Sequence, residues 1–194
     1  MANSVAVLFQ TSEGQTRKVA ETVASHLRSQ GLSVEVMEVG RETRDLVVGA
    51  YQGVVVGASV HAGSYPRKIR KWLSAHHESL NGVASAFFSV SMSEADEEER
   101  ETLKGLLEGL LEETRWTPEI VASFAGALPF SKYGFIKKRL MNRIMSEKGL
   151  ELEEGRDYEY TDWDSVREFA ERYAALIEER SAGKSSPLGS VPLG

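Results

Sequence analysis

Apolar runs punctuated by polar turns, alternating with stretches of helical periodicity, organise most of the chain. Residues 5–9 (VAVLF) are continuously apolar, the pattern of a strand covered on both faces. The polar turn 10–16 (QTSEGQT) leads into Val19, Val23 and Leu27, spaced for one helical face with Ala20 and Ala24 beside them, and Gly31 marks that helix's end. Val34, Val36 and Val39 predict a second strand, and 53–58 (GVVVGA) a third. Pro66 stands where a first helical turn tolerates it, ahead of an apolar face of Ile69, Trp72 and Leu73. Residues 84–90 (ASAFFSV) and 120–128 (IVASFAGAL) read as strands four and five, separated by a charged helix over 96–114. A basic helix over 132–145, a short extended piece over 158–160 and a last helix from Thr161 complete the pattern. Thr161 with Asp164 reads as a variant capping box, and Trp163, Val166, Phe169, Tyr173 and Ile177 keep the final stripe.

Five strands alternating with helices predict an α/β fold: a parallel sheet covered on both sides, with right-handed crossovers. Ligands of such sheets sit beyond the carboxyl ends of the strands, where the strand order reverses. The loops after strands one, three, four and five are therefore the ones to read for chemistry. One domain over 1–180 is expected, followed by a disordered tail, 181–194 (SAGKSSPLGSVPLG), rich in Ser, Gly and Pro. With 194 residues, 41% of them hydrophobic, the chain can bury a core without staples. The absence of cysteine excludes a disulfide scaffold, a thiol nucleophile, a Cys-ligated zinc and an iron–sulfur cluster. No apolar run approaches the roughly 20 residues of a membrane span, and no signal peptide is visible, so the cytoplasm is the expected location. A net charge of −6 argues against nucleic-acid binding.

The first loop is the most informative. Thr11, Ser12, Gln15 and Thr16 place hydroxyl and amide donors between a buried strand and a helix start, and Gly14 lets the backbone fold closely. A helix N-terminus carries unpaired N–H groups and about half a positive charge, which suits a phosphate. The loop has no GxxxxGK(S/T) and no GxGxxG, so neither a nucleotide triphosphate nor a dinucleotide is favoured. The same Ser and Thr would equally serve an N-capped turn that binds nothing. In the loop after strand three, Gly57, Ala58, Ala62 and Gly63 are small, which fits either a backbone lying flat against a planar ring or a crowded strand end. His26, His76 and His77 have no second ligand at metal spacing.

Two charged stretches stand out. Lys132, Lys137, Lys138, Arg139 and Arg143 lie on one amphipathic helix with Tyr133, Ile136, Leu140 and Ile144, a pattern suited to an anionic membrane surface or to a sheet-covering helix with a basic outer face. Residues 93–119 carry ten acids against three bases and read as a solvated face. Arg67, Lys68, Arg70 and Lys71 form a further basic cluster.

TSEGQT at 11–16 is similar to the FMN-phosphate loop of flavodoxins. More narrowly, the chain resembles the flavodoxin-type, menaquinone-dependent protoporphyrinogen oxidases of haem biosynthesis. The resemblance is carried by TSEGQTR (11–17), VVVGASVHAGSY (54–65), SAFFSV (85–90), AGAL (125–128) and YTDW (160–163), which spread over residues 4–178. It implies a flavodoxin-like three-layer sandwich with a five-stranded parallel sheet and FMN at the strand ends. Thr11, Ser12, Glu13, Gly14, Gln15 and Thr16 would hold the phosphate. Ala58, Ser59, Val60, His61, Ala62 and Gly63, with Ser89, Val90 and Ser91, would flank the isoalloxazine. Gly126, within 125–128, would close the site from the fifth strand.

The implied reaction is oxidation of protoporphyrinogen IX to protoporphyrin IX, with loss of six electrons that pass to a quinone. Peripheral attachment at the inner face of the cell membrane would run through the basic helix. His61 is the candidate for proton handling. A carboxylate about 10 Å from the ring opposes a unit negative charge by about 1.7 kcal/mol at an effective dielectric near ~20, which is about 70 mV for one electron. Residues 58–65 and 88–91 contain no acid, so a flavin there is expected to accept electrons readily; Glu94 and Asp96 stand just beyond. The rival readings are a diffusible flavodoxin electron carrier, an FMN-dependent NAD(P)H:quinone reductase and a flavodoxin-like domain without cofactor.

Overall fold

The alternation read from the sequence becomes, in chain order, β1 (Ser4–Gln10), α1 (Gln15–Ser29), β2 (Ser33–Glu38), a single 3-10 turn (Val48–Ala50), β3 (Gly53–Ser59), α2 (Arg67–Asn81), β4 (Ala84–Ser91), α3 (Glu97–Thr114), β5 (Ile120–Ala125), β6 (Ala127–Leu128), β7 (Tyr158–Glu159) and α4 (Trp163–Lys184). These assignments come from a computed structural model, which describes residues 4–61, 63–92, 97–128 and 158–184. The basic helix expected over 132–145 lies outside the described residues, as do Ala62, Glu94 and Asp96.

The five long strands form one parallel sheet in the order β2-β1-β3-β4-β5. Each inner strand has two faces to bury, and the pleat assigns its residues alternately. Val5, Val7 and Phe9 join α1 and α4 in one core layer, while Ala6 and Leu8 join α2 and α3 in the other. The same alternation splits β4, sending Phe88 to the first layer and Phe87 to the second. This is the α/β three-layer sandwich anticipated above. Its chain reverses direction of winding between β1 and β3, so the crevice falls at their carboxyl ends.

Three details depart from the sequence reading. The fifth strand breaks at Gly126, and its continuation, β6, leaves the main sheet to pair antiparallel with β7. The N-cap of α4 is Asp162, not Thr161: Asp162 Oδ1 accepts the N–H groups of Asp164 (3.0 Å) and Ser165 (3.4 Å), and Ser165 Oγ donates to Oδ2 at 2.7 Å. These bonds hold the Asp162 carboxyl below its usual pKa, the Ser165 hydroxyl bond first among them. Finally, α4 runs to Lys184, so the first four residues of the expected tail are helical.

Gly57 owes its identity to the core. A Cβ built there would clash with the outer edge of the Phe88 ring. Phe88 is wholly buried and meets Phe124 and Phe169, each with centroids 5.9 Å away. The crowded strand end is enough to require this glycine.

Two outcomes follow from this packing. Gly57→Ala should cost about 1–3 kcal/mol through overpacking, measured by urea denaturation. Combined with Phe88→Leu it should cost less than the sum of the two single changes; strict additivity would show that the ring and the glycine do not share the space. Because the Asp162 pKa is lowered in the fold, its cap stabilises above the ordinary carboxylate range and is lost as pH falls through the lowered value. The stability gap between wild type and Asp162→Ala should therefore shrink on acidification, and a gap that stays constant would remove the carboxylate from the cap.

Candidate functional site

The turn between β1 and α1 is built around Gly14. Its φ of 104° is left-handed, where a Cβ is unfavourable. Its N–H donates to Thr11 Oγ1 at 2.9 Å, closing the turn on itself. No side chain caps α1, and no acid stands in its first turn. The N–H groups of Gln15, Thr16 and Arg17 thus face the crevice end of the helix without intrahelical acceptors. Together with the helix dipole they form a ready anion site.

Among the described residues the two cations beside the turn are already paired. Arg17 pairs with Glu38 at 3.2 Å and lies over the Phe9 ring. Lys18 pairs with Glu159 at 2.6 Å and lies over the Trp163 ring. Both side chains are about half exposed, and both carry a carboxylate partner. Among the described residues, what this turn can offer an anion is therefore backbone dipoles.

The turn is tethered on both flanks. On one side Ser59 Oγ, at the end of β3, lies 3.2 Å from Ser12 Oγ and 3.5 Å from Gln10 Oε1. On the other, Gln15 Nε2 donates to Thr161 Oγ1 at 2.8 Å, and Thr161 Oγ1 donates to the Ala125 carbonyl at 2.7 Å. Thr16 is buried beneath the helix start. Glu13 is half-buried and Ser12 exposed at the rim.

The neighbouring strand ends contribute mainly backbone. Ala58 is wholly buried in the α2–α3 layer, and Ser89 Oγ bonds Ser123 Oγ at 3.0 Å across to β5. Their side chains are taken up within the layers, so backbone is what they can offer a ligand. The Val60 N–H donates to the Val90 carbonyl at 2.9 Å, joining the loop after β3 to β4. His61 and Ser64 exchange backbone bonds of 3.0 and 3.2 Å around a turn that includes Gly63, and the His61 side chain is exposed. The Gly126 N–H donates to the Ser91 carbonyl at 3.0 Å, and its carbonyl accepts the Tyr160 N–H at 3.1 Å. The described site residues thus gather along one edge of the sheet, from Thr11 to Gly126. Among the described residues no group of three or more His, Asp or Glu side chains could hold a metal, and no helix is long and apolar enough to cross a membrane.

Sequence reading missed two contributors. Thr161 has the residue type of a helix cap, and its hydroxyl instead bridges Gln15 and β5. Tyr160 stands beside Gly126, its ring stacked at 13° on Tyr158. The only hint of either was the segment YTDW itself, because neither periodicity nor capping rules place a loop hydroxyl against a turn 146 residues away.

A family model for the flavodoxin domain matches residues 6–153. A protoporphyrinogen IX dehydrogenase (quinone) of Escherichia coli K12 is 32% identical over 89% of this chain and 96% of its own length. A protein of the same name from Leishmania major is 30% identical over 88% of this chain and 74% of its own. Among solved structures, a short-chain flavodoxin associated with a bacterial microcompartment superposes with a TM-score of 0.56, at 14% identity over 90% of this chain and 99% of that one. A pneumococcal flavodoxin gives 0.53 at 14% identity, over 91% and 99%. The two solved neighbours share the fold; the domain match and the two relatives place the chain in the flavodoxin family, in the branch of the quinone-linked protoporphyrinogen IX dehydrogenases.

Proposed function

We propose that this oxidoreductase binds FMN at the β1/β3 crevice, oxidises protoporphyrinogen IX to protoporphyrin IX and passes the electrons to a quinone. The observation that carries the reading is the uncapped start of α1 behind a left-handed Gly14, on a hydroxyl-rich turn at the switch point of the sheet. Such a turn fits a phosphate monoester: it offers neutral donors and a dipole, and its flanking cations are already paired. The names of the two relatives support the substrate and the acceptor.

In this reading FMN supplies the two-electron redox chemistry, and the protein supplies binding, orientation and access. Thr11, Ser12, Glu13, Gly14, Gln15 and Thr16 hold the phosphate. Ser59, Val60, His61 and Gly63 line the ring from β3, with Ala58 behind them; Ser89, Val90 and Ser91 do so from β4, and Gly126 from β5. His61, exposed on its turn, is positioned to exchange protons with bulk water. Among the described residues of the ring loops, none is an acid, so no carboxylate there opposes reduction of the flavin.

Gly14→Val should abolish FMN retention while the apo-protein stays folded, because an L side chain at this φ disturbs the turn and little else. Flavin absorbance after gel filtration checks it, and an equimolar cofactor in the variant would show the turn to be misassigned. Anaerobic mixing of FMN-loaded protein with protoporphyrinogen and a menaquinone analogue should raise porphyrin fluorescence well above the spontaneous rate, in proportion to quinone. A rate unchanged by quinone would favour an electron carrier.

A further inference from the structure

Thr161 is buried at 8% exposure, one of the polar side chains the fold shelters from water. Its hydroxyl has both hydrogen-bonding roles taken, one by Ala125 and one by Gln15. The directions are forced by chemistry. A carbonyl only accepts, so the Thr161 proton goes to Ala125, and Gln15 must donate through its amide nitrogen. The Gln15 amide is thereby oriented toward α4, and Gln15 is the first residue of α1.

We infer that Thr161 is a positioning residue for the phosphate-holding turn: through Gln15 it ties the first turn of α1 to the carboxyl end of β5. The inference rests on the FMN reading above. Two other ties at this helix start are weaker. Lys18–Glu159 and Arg17–Glu38 are solvent-exposed ion pairs, which contribute little. The Ser12–Ser59 contact holds the opposite flank of the turn. The Gln15–Thr161–Ala125 chain is half-sheltered from water, as Ser12–Ser59 is on the other flank, and there a hydrogen bond counts for more and an unmade one costs more. Its effect is preorganisation: the N–H groups of Gln15, Thr16 and Arg17 are held in place before the anion arrives, so less ordering accompanies binding. Gln15 then serves a phosphate through its backbone N–H, its side chain acting as a strut.

The test is titration of apo-protein with FMN and, separately, with riboflavin, which lacks the phosphate. Thr161→Val keeps the shape and removes the hydroxyl. It should weaken FMN about tenfold, the loss of roughly one hydrogen bond, and riboflavin by less than about twofold. Thr161→Ser should restore FMN affinity. Gln15→Ala cuts the same chain from its other end; it should reproduce the FMN-selective loss even if Thr161→Val does not fold, and the double variant should lose no more than Gln15→Ala alone. Equal weakening of FMN and riboflavin would reduce Thr161 to a general structural role and overturn the inference, as would unchanged FMN affinity in both single variants. If the wild-type apo-protein binds riboflavin and FMN equally, the phosphate reading fails first and the positioning role with it.

Discussion

The crevice exists because β1 is hydrogen-bonded to β2 on one side and to β3 on the other, all three running the same way. Parallel neighbours require crossovers, and right-handed crossovers leaving a central strand in opposite directions must diverge. The divergence puts α1 on one face and α2 on the other, with an open edge above β1 and β3. Everything at the candidate site hangs on that edge: the uncapped end of α1, the turn after β3 and the carbonyl ends of β4 and β5. The parallel ladder also buries both faces of β1, β3 and β4, which is why their interiors hold only apolar residues and small serines.

The electrostatics of the edge follow from the same arrangement. A helix start with no acidic first turn and no capping side chain keeps its partial positive charge for a ligand. Arg17 and Lys18 stand close by but are paired with Glu38 and Glu159, so neither offers the turn a free ammonium or guanidinium group. A long acidic helix, α3, can coexist with this site because it covers the opposite face from α1, with its apolar residues in the α2 layer.

Crowding does as much as charge. Gly57 makes room for Phe88, and Phe88 braces Phe124 of β5 and Phe169 of α4. A glycine at a strand end invites a ligand explanation, and the packing already requires this one. Gly14 is the opposite case: its left-handed φ serves the turn, and the turn frames the anion site.

Residue order along the chain was enough to establish the alternation of strands and helices, the two-sided burial of β1, β3 and β4, and the donor-rich turn after β1, because all three are written in periodicity and in local turn chemistry. The strand order, the break at Gly126 and the β6–β7 pair were decided only in three dimensions, since pairing partners compete over distances no local pattern records. The same holds for the cap of α4. Thr161 and Asp162 are adjacent residues, both able to cap; the Ala125 carbonyl and the Gln15 amide draw Thr161 away and leave Asp162 to the helix. Sequence can nominate a hydroxyl, but which of its possible partners it meets depends on the neighbours that folding brings to it.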